Sequence, residues 1–339
     1  VLARSALFAS VILGLLAISA ATSPAALAEA QEVRIAMQYG FGFLPMMVMK
    51  ERKFVEQQLE REGLPKIGVT WATLGGGAAM NDAVLSGSLD FATSGITPFI
   101  TLWAKTRGQN TVKAVGSLGT LPLWLNTRNP NIRRLEDFGE GDRIAVTAVK
   151  ISVHAILLQM AAEQLWGSDN YTRLDRLTVT LSQPDGMAAL LSNSGGVSAH
   201  FTAPPFQYQE LKAEGVHRVL TSDDILGGPA TFVVAWTTEK FRQDNPRIYK
   251  AFAAALQQSL DFIRTDAEGT AAVYRASSGS RESDRDIAEM LSMPGTTFTL
   301  TPQNVMKYVE FMHRVGMVKV KPASWAELFF PEIHSLPGS

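Results

Sequence analysis

The chain contains no cysteine. That excludes a disulfide framework, zinc–thiolate centres, thiol nucleophiles and a lipid-bearing cysteine at an export junction. Charge is also scarce. Charged residues make up 19% of the 339, and 31 Lys and Arg against 32 Asp and Glu leave a formal charge of -1. No basic excess and no long run of like charge is present, so nucleic acid is not an expected partner. The five histidines, His154, His200, His217, His313 and His334, are scattered without the spacing of a metal site. There is no G-x-S-x-G elbow and no P-loop, and the one triple glycine is not followed by G-K-[ST]. It also lacks the acidic residue of a dinucleotide fingerprint at the required distance. No catalytic residue, metal ligand or cofactor is therefore expected.

What the chain does have is apolar residues, 46% of the total, enough for one large or two ordinary cores. Its first stretch places Arg4 before an apolar run from Leu7 to Ala20, then Thr22-Ser23-Pro24 and Ala26-Leu27-Ala28. A charged start, an apolar middle and an A-x-A site read as a signal peptide over residues 1–28, cleaved near Ala28. A membrane anchor would need about 20 apolar residues without the helix-breaking proline. The expectation is an exported, soluble, monomeric protein of the bacterial periplasm.

From Glu32 the pattern alternates strand, loop and helix. Val33 to Met37 reads as a strand, followed by the aromatic loop Gln38-Tyr39-Gly40-Phe41-Gly42-Phe43 and a helix from Pro45 to a stop at Gly63. Lys66 to Thr73 is a second strand. Ala72 to Ile100 then supplies a three-glycine turn, a helix, and a strand from Asp90 ending in Ser94-Gly95-Ile96-Thr97. Successive βα units predict a mostly parallel sheet with its ligand edge at the carboxyl ends of the strands. After the proline-bearing segment Thr120 to Leu125 a second αβ body follows, with Ser152 capping a helix after Lys150-Ile151. A long strand, Thr231 to Thr237, and several helices close the chain. The order predicts two lobes joined by two crossing segments.

The candidate binding residues gather at those loop edges. Gly75, Gly76 and Gly77 lack side chains where a helix begins, so backbone N–H groups can approach an anionic ligand closely. Ser94, Gly95 and Thr97 form a second small polar wall, and Ser152 and His154 a third at the start of another helix. Gln38, Tyr39, Phe41, Trp124, Pro205 and Phe206 would supply polar anchors and apolar walls for an organic ligand. Lys150 reads either as a solvated loop residue or as a counter-charge. Asp90 reads as a pocket carboxylate by residue type, or as a structural turn residue by its place between a turn and a strand, the second reading favoured.

Taken in order, these pieces resemble the substrate-binding proteins of nitrate/sulfonate/taurine-type ABC transporters, a group with pyrimidine-synthase-like relatives. The resemblance spans about Val33 to Leu260. It rests on RIAMQYG at Arg34–Gly40, the glycine-to-DFA run from Gly76 to Ala92, and Leu135-Glu136-Asp137-Phe138 before Ile144. Lys150 to His154 and the Pro184 to Gly196 helix complete it. It implies an α/β, two-lobed periplasmic-binding-protein fold with two crossover strands, each lobe a mostly parallel sheet flanked by helices. The lobes would be residues 33–122 plus 230–330 and residues 123–229. The implied function is capture of a small organic anion, a sulfonate or carboxylate, for a membrane permease and its ATPase. His200-Phe201 and Ile96-Thr97 depart from the family pattern and leave an apolar or aromatic carboxylate plausible. A pyrimidine-synthase-like enzyme and a ligand sensor for a signalling partner stay open as alternatives.

Overall fold

The computed structural model describes residues 29–192 and 196–339, so the predicted signal peptide lies outside the described residues. Among the described residues two five-stranded sheets form. The first holds β1 (Glu32–Met37), β2 (Gly68–Thr73), β3 (Phe91–Gly95), β4 (Val112–Thr120) and β10 (Thr231–Thr238), in the order β2-β1-β3-β10-β4. The second holds β5 (Trp124–Thr127), β6 (Ile144–Val146), β7 (Thr178–Thr180), β8 (Ala199–Thr202) and β9 (His217–Thr221), in the order β7-β6-β8-β5-β9.

The sheets are mixed, with one reversed strand in each. β10 runs antiparallel to β3 and β4, and β5 antiparallel to β8 and β9, while the remaining pairs are parallel. The reason is the path of the chain. β4 ends at the junction between the sheets, and only Leu121-Pro122-Leu123 separates it from β5, a reach of about 10 Å. A strand entering from the junction must run away from it, against neighbours that helices have led in from the far edge. β10, entered after the chain crosses back, repeats the arrangement.

The helices are α1 (Leu44–Glu51), α2 (Phe54–Arg61), α3 (Gly77–Leu85), α4 (Ile96–Thr106), α5 (Val153–Trp166), α6 (Gln183–Ser192) and α7 (Phe206–Leu211). They continue as α8 (Ser222–Leu226), α9 (Glu239–Asp244), α10 (Pro246–Thr265), α11 (Ala267–Ser278), α12 (Asp284–Ser292) and α13 (Val305–Arg314). The single helix expected from Pro45 to Gly63 is broken at Arg52-Lys53, where Lys53 takes a left-handed φ of 53°. The break separates α1, buried through Met46, Met47 and Met49, from the amphipathic α2, which turns Phe54, Val55 and Leu59 inward. One unbroken helix could not present both faces to the core. α2 packs on α10, and Phe252 of α10 stacks on Phe91 of β3 with centroids 3.8 Å apart.

The buried carboxylates of this framework are paired. The Asp90 carboxylate accepts from the Arg34 backbone N–H at 2.8 Å and from its guanidinium at 3.0 and 2.7 Å, tying β1 to the start of β3. Under the second sheet, His200 and Glu210 of α7 lie 2.5 Å apart and fully buried, with the Asn126 amide donating to the same carboxylate at 2.9 Å. Interior carboxylates of this kind need such partners to offset the loss of water.

Candidate functional site

The carboxyl ends of β1, β2 and β3 face those of β6, β7 and β8, and the loops after them touch. The Thr97 hydroxyl donates to the Ile151 carbonyl at 2.6 Å, and the Phe41 N–H to the Pro204 carbonyl at 2.8 Å. Gln183 acts as a clamp. Its amide nitrogen donates to the Tyr39 carbonyl at 3.2 Å, while its amide oxygen accepts from the Thr202 hydroxyl and the Ala203 N–H. The backbones come close enough to depend on missing side chains. A Cβ at Gly76 would stand 2.8 Å from the Thr147 carbonyl oxygen, and one at Gly95 would stand 2.6 Å from a methyl of Val153. The two halves thus meet across the junction with little room between them.

The innermost part of the junction is a narrow space of about 10 Å³ where Gln38, Gly77, Gly95, Ser152 and His154 converge with Thr147, Gln183 and Phe232. His154 occupies the first turn of α5, edge-on to Phe201 and Phe232 with centroids 5.7 Å away. Its Nδ1 is 3.5 Å from the Thr147 hydroxyl, and its Nε2 is buried without a partner. Burial, and then the charge of His200, push its pKa down to about 3. The ring is neutral at ordinary pH, offering one hydrogen-bonding nitrogen and no charge. The Ser152 hydroxyl already accepts from the Ala155 N–H at 3.2 Å as the cap of α5.

Beyond Gln38 the junction widens into a cavity of about 510 Å³. Tyr39, Met47 and Tyr274 line it from one half, Pro205, Phe206 and Gln209 from the other, and the loop Ser277–Arg281 closes it. The structure thus brings Gln38, Tyr39, Pro205 and Phe206 to this outer cavity. Gly75, Gly76 and Thr97 lie in the contact between halves, and Ser94 lies beneath Gly77 with its hydroxyl donating to the Gly95 carbonyl. Phe41 sends its ring into the core, edge-on to Tyr274 at 4.6 Å, and leaves only its backbone at the junction. Trp124 packs on Tyr208 at 4.8 Å with Arg218 above its ring, and lines neither space. Lys150, exposed and left-handed with φ 65°, lines neither either.

Sequence reasoning did not reach Thr147, Gln183, Phe232, Tyr274 or the Ser277–Arg281 loop. The run Ser277-Ser278-Gly279-Ser280-Arg281 between two helical patterns was the available signal. It is a hydroxyl-rich turn, but nearly two hundred residues of chain separate it from the glycine loop whose cleft it closes.

Two sheets crossed twice by the chain, with a cleft at the carboxyl ends of their strands, make up the periplasmic-binding-protein fold. Solved structures agree. The alkanesulfonate-binding protein SsuA from Xanthomonas axonopodis pv. citri, bound to MOPS, is similar with a TM-score of 0.65 and 18% identity, covering 89% of this chain and 99% of that one. The periplasmic nitrate-binding protein NrtA from Synechocystis PCC 6803 is similar with a TM-score of 0.65 and 12% identity, covering 88% and 85%. A Candida albicans gene product that defines a new family with the generic periplasmic binding protein fold gives 0.66 and 13%, covering 87% and 94%. The match is therefore to sulfonate- and nitrate-binding proteins of the type the motif order resembles, and at these identities it is a likeness of fold. No protein-family model and no curated protein matches the chain. Among the described residues no helix is long and apolar enough to cross a membrane, and no group of three or more His, Cys, Asp and Glu is placed to hold a metal.

Proposed function

We propose that this chain is the solute-binding component of an ABC importer, exported to the periplasm as a monomer after loss of residues 1–28. Its two lobes, residues 33–122 plus 230–330 and residues 123–229, close on a small organic anion and deliver it to a membrane permease with its ATPase. The observation that carries this reading is the junction itself. Loops from the carboxyl ends of two separate sheets converge on a buried, neutral His154 with an unpartnered Nε2, beside a cavity walled by both halves. Only two short chain segments link the sheets, which suits hinge closure around a ligand. The likeness to sulfonate- and nitrate-binding structures supports the same reading.

Thermal shift and intrinsic tryptophan fluorescence across a panel of sulfonates, carboxylates and pyrimidines test it. At least one class should raise Tm in proportion to concentration, as ligand linkage requires. Silence across all three classes would count against a receptor, and product formation from a pyrimidine precursor by the purified chain would replace it with an enzyme.

A further inference from the structure

We propose, resting on the reading of this chain as a solute receptor, that the outer cavity holds the body of the ligand and that Arg281 is its counter-charge. The ligand is then an organic anion with an apolar portion of several carbons, and not an inorganic oxyanion.

Size is the first argument. A cavity of about 510 Å³ lies within the range of sites for organic ligands, roughly 300–1,000 Å³, and an inorganic oxyanion would leave most of it to water. Its walls are the second. Tyr39, Phe206 and Tyr274 give aromatic surface and Met47 an adaptable apolar one, a lining suited to carbon.

Charge is the third argument. Of the residues lining the outer cavity, Arg281 alone carries a formal charge, and no carboxylate faces it there. Two cations near this loop have partners. Arg275 pairs with Asp284, and Lys212 lies 3.2 Å from Glu282 and 3.1 Å from Asp286. Arg281, exposed in the turn between α11 and α12, has no ion pair among the described residues. A guanidinium without an ion pair at the edge of this chamber can donate to two oxygens of a carboxylate or sulfonate at once.

The fourth is a hydroxyl. Ser277 Oγ is buried in the wall of this cavity with no hydrogen-bond partner. Of the buried polar atoms without a partner among the described residues, Ser277 Oγ is the one in this wall, where a ligand atom would satisfy it. Arg281 and Ser277 thus give the cavity wall two side-chain donors four residues apart in the chain. The inner space, where His154 is neutral and no charged residue lines the wall, suits an uncharged end of the ligand.

The test is calorimetric titration of the purified chain with hexanesulfonate, hexanoate, 1-hexanol and sodium nitrate. Both organic anions should bind at least about tenfold more tightly than hexanol, and nitrate should not bind. Arg281→Gln should remove that preference, leaving hexanol affinity unchanged, and Arg281→Lys should restore part of it. Ser277→Ala should weaken the anions severalfold with Tm unaltered. Equal binding of anion and alcohol, nitrate binding as tight as hexanesulfonate, or Arg281→Gln indistinguishable from wild type each overturns the assignment. So does silence from all four probes. If some sulfonate, carboxylate or pyrimidine of the wider panel still binds, receptor function survives; if none does, both readings fall.

Discussion

The Thr147 carbonyl oxygen lies where it would be 2.8 Å from any Cβ placed on Gly76, and the two residues belong to opposite halves of the molecule. Gly76 has extended backbone, φ -173° and ψ 166°, which other residues adopt without strain. A side chain there therefore acts on the junction and not on the local fold. Gly77, by contrast, would drive a Cβ to 2.6 Å from the Pro98 ring within its own half. The two neighbours separate cleanly. Gly76→Val should raise the radius of gyration in X-ray scattering and weaken ligand binding tenfold or more, with Tm nearly unchanged. Gly77→Val should cost roughly 1–3 kcal/mol of stability by overpacking. A Gly76→Val chain that scatters like wild type would show that the junction yields without opening.

Stability below neutral pH should report on His154. Its pKa is about 3 in the folded chain against an ordinary value of 6.5. Between those values the unfolded chain binds a proton that the folded chain refuses, so stability falls as pH falls through this window and is unaffected above it. The slope is about 1.4 kcal/mol per pH unit, or about 2 kcal/mol from pH 6.5 to 5. Urea unfolding at pH 7 and pH 5 measures it. His154→Gln, which cannot titrate, should lose that part of the pH dependence, and an unchanged slope would mean that His154 protonates freely in the fold.

The loop before α12 ties the halves together on the outer side. Glu282 accepts from the Gln209 amide at 2.7 Å and from Lys212 at 3.2 Å, while Lys212 also reaches Asp286. Glu282 is the member with more to lose, because its side chain is only 9% exposed whereas that of Lys212 is 55% exposed. Exposed ion pairs contribute about 0–1 kcal/mol, so Lys212→Met should shift the closed population only a few-fold. Glu282→Ala should shift it further by leaving the Gln209 amide without its acceptor. Fluorescence energy transfer between dyes on the two halves orders the variants, and an effect of Lys212→Met larger than that of Glu282→Ala would reverse this ranking.

Most of the fold was legible because βα units announce themselves through local periodicity, and their order alone gives two bodies with two crossings. The reversed strands were not, since β5 and β10 look like any buried strand and their direction depends on where the chain enters the sheet. The break at Arg52-Lys53 was hidden because no glycine or proline marks it. At the junction, Gln38, Gly76, Ser152 and His154 could be found from helix starts and strand ends. Phe41 and Trp124 could not be told from core aromatics, because a sequence shows that a ring stands in a loop or strand and not which way it points. The Ser277–Arg281 loop reaches the cleft through tertiary folding alone.

Ser152 provides a final separation between fold and binding. As a helix-start hydroxyl near the junction it invites a direct role in holding an anion, and on that basis Ser152→Ala would cost about tenfold in affinity. In the structure the side chain is 2% exposed and its oxygen already accepts from the Ala155 N–H. Loss of an N-cap typically costs about 1 kcal/mol of stability, and Ser152→Gly costs less than Ser152→Ala because glycine leaves the end of the helix open to water. Ser152→Ala should therefore lower Tm by about one to two degrees and change the affinity for a bound sulfonate or carboxylate less than threefold. Ser152→Asp should not recover stability fully: a carboxylate caps a helix start as well as a hydroxyl, but at this buried position it also loses its water, and it should repel an anion if the ligand comes that close. Measuring Tm and affinity for the same three variants decides the matter. A tenfold loss of affinity in Ser152→Ala at unchanged Tm would return the hydroxyl to the binding site and place the ligand's charge at the start of α5, away from Arg281.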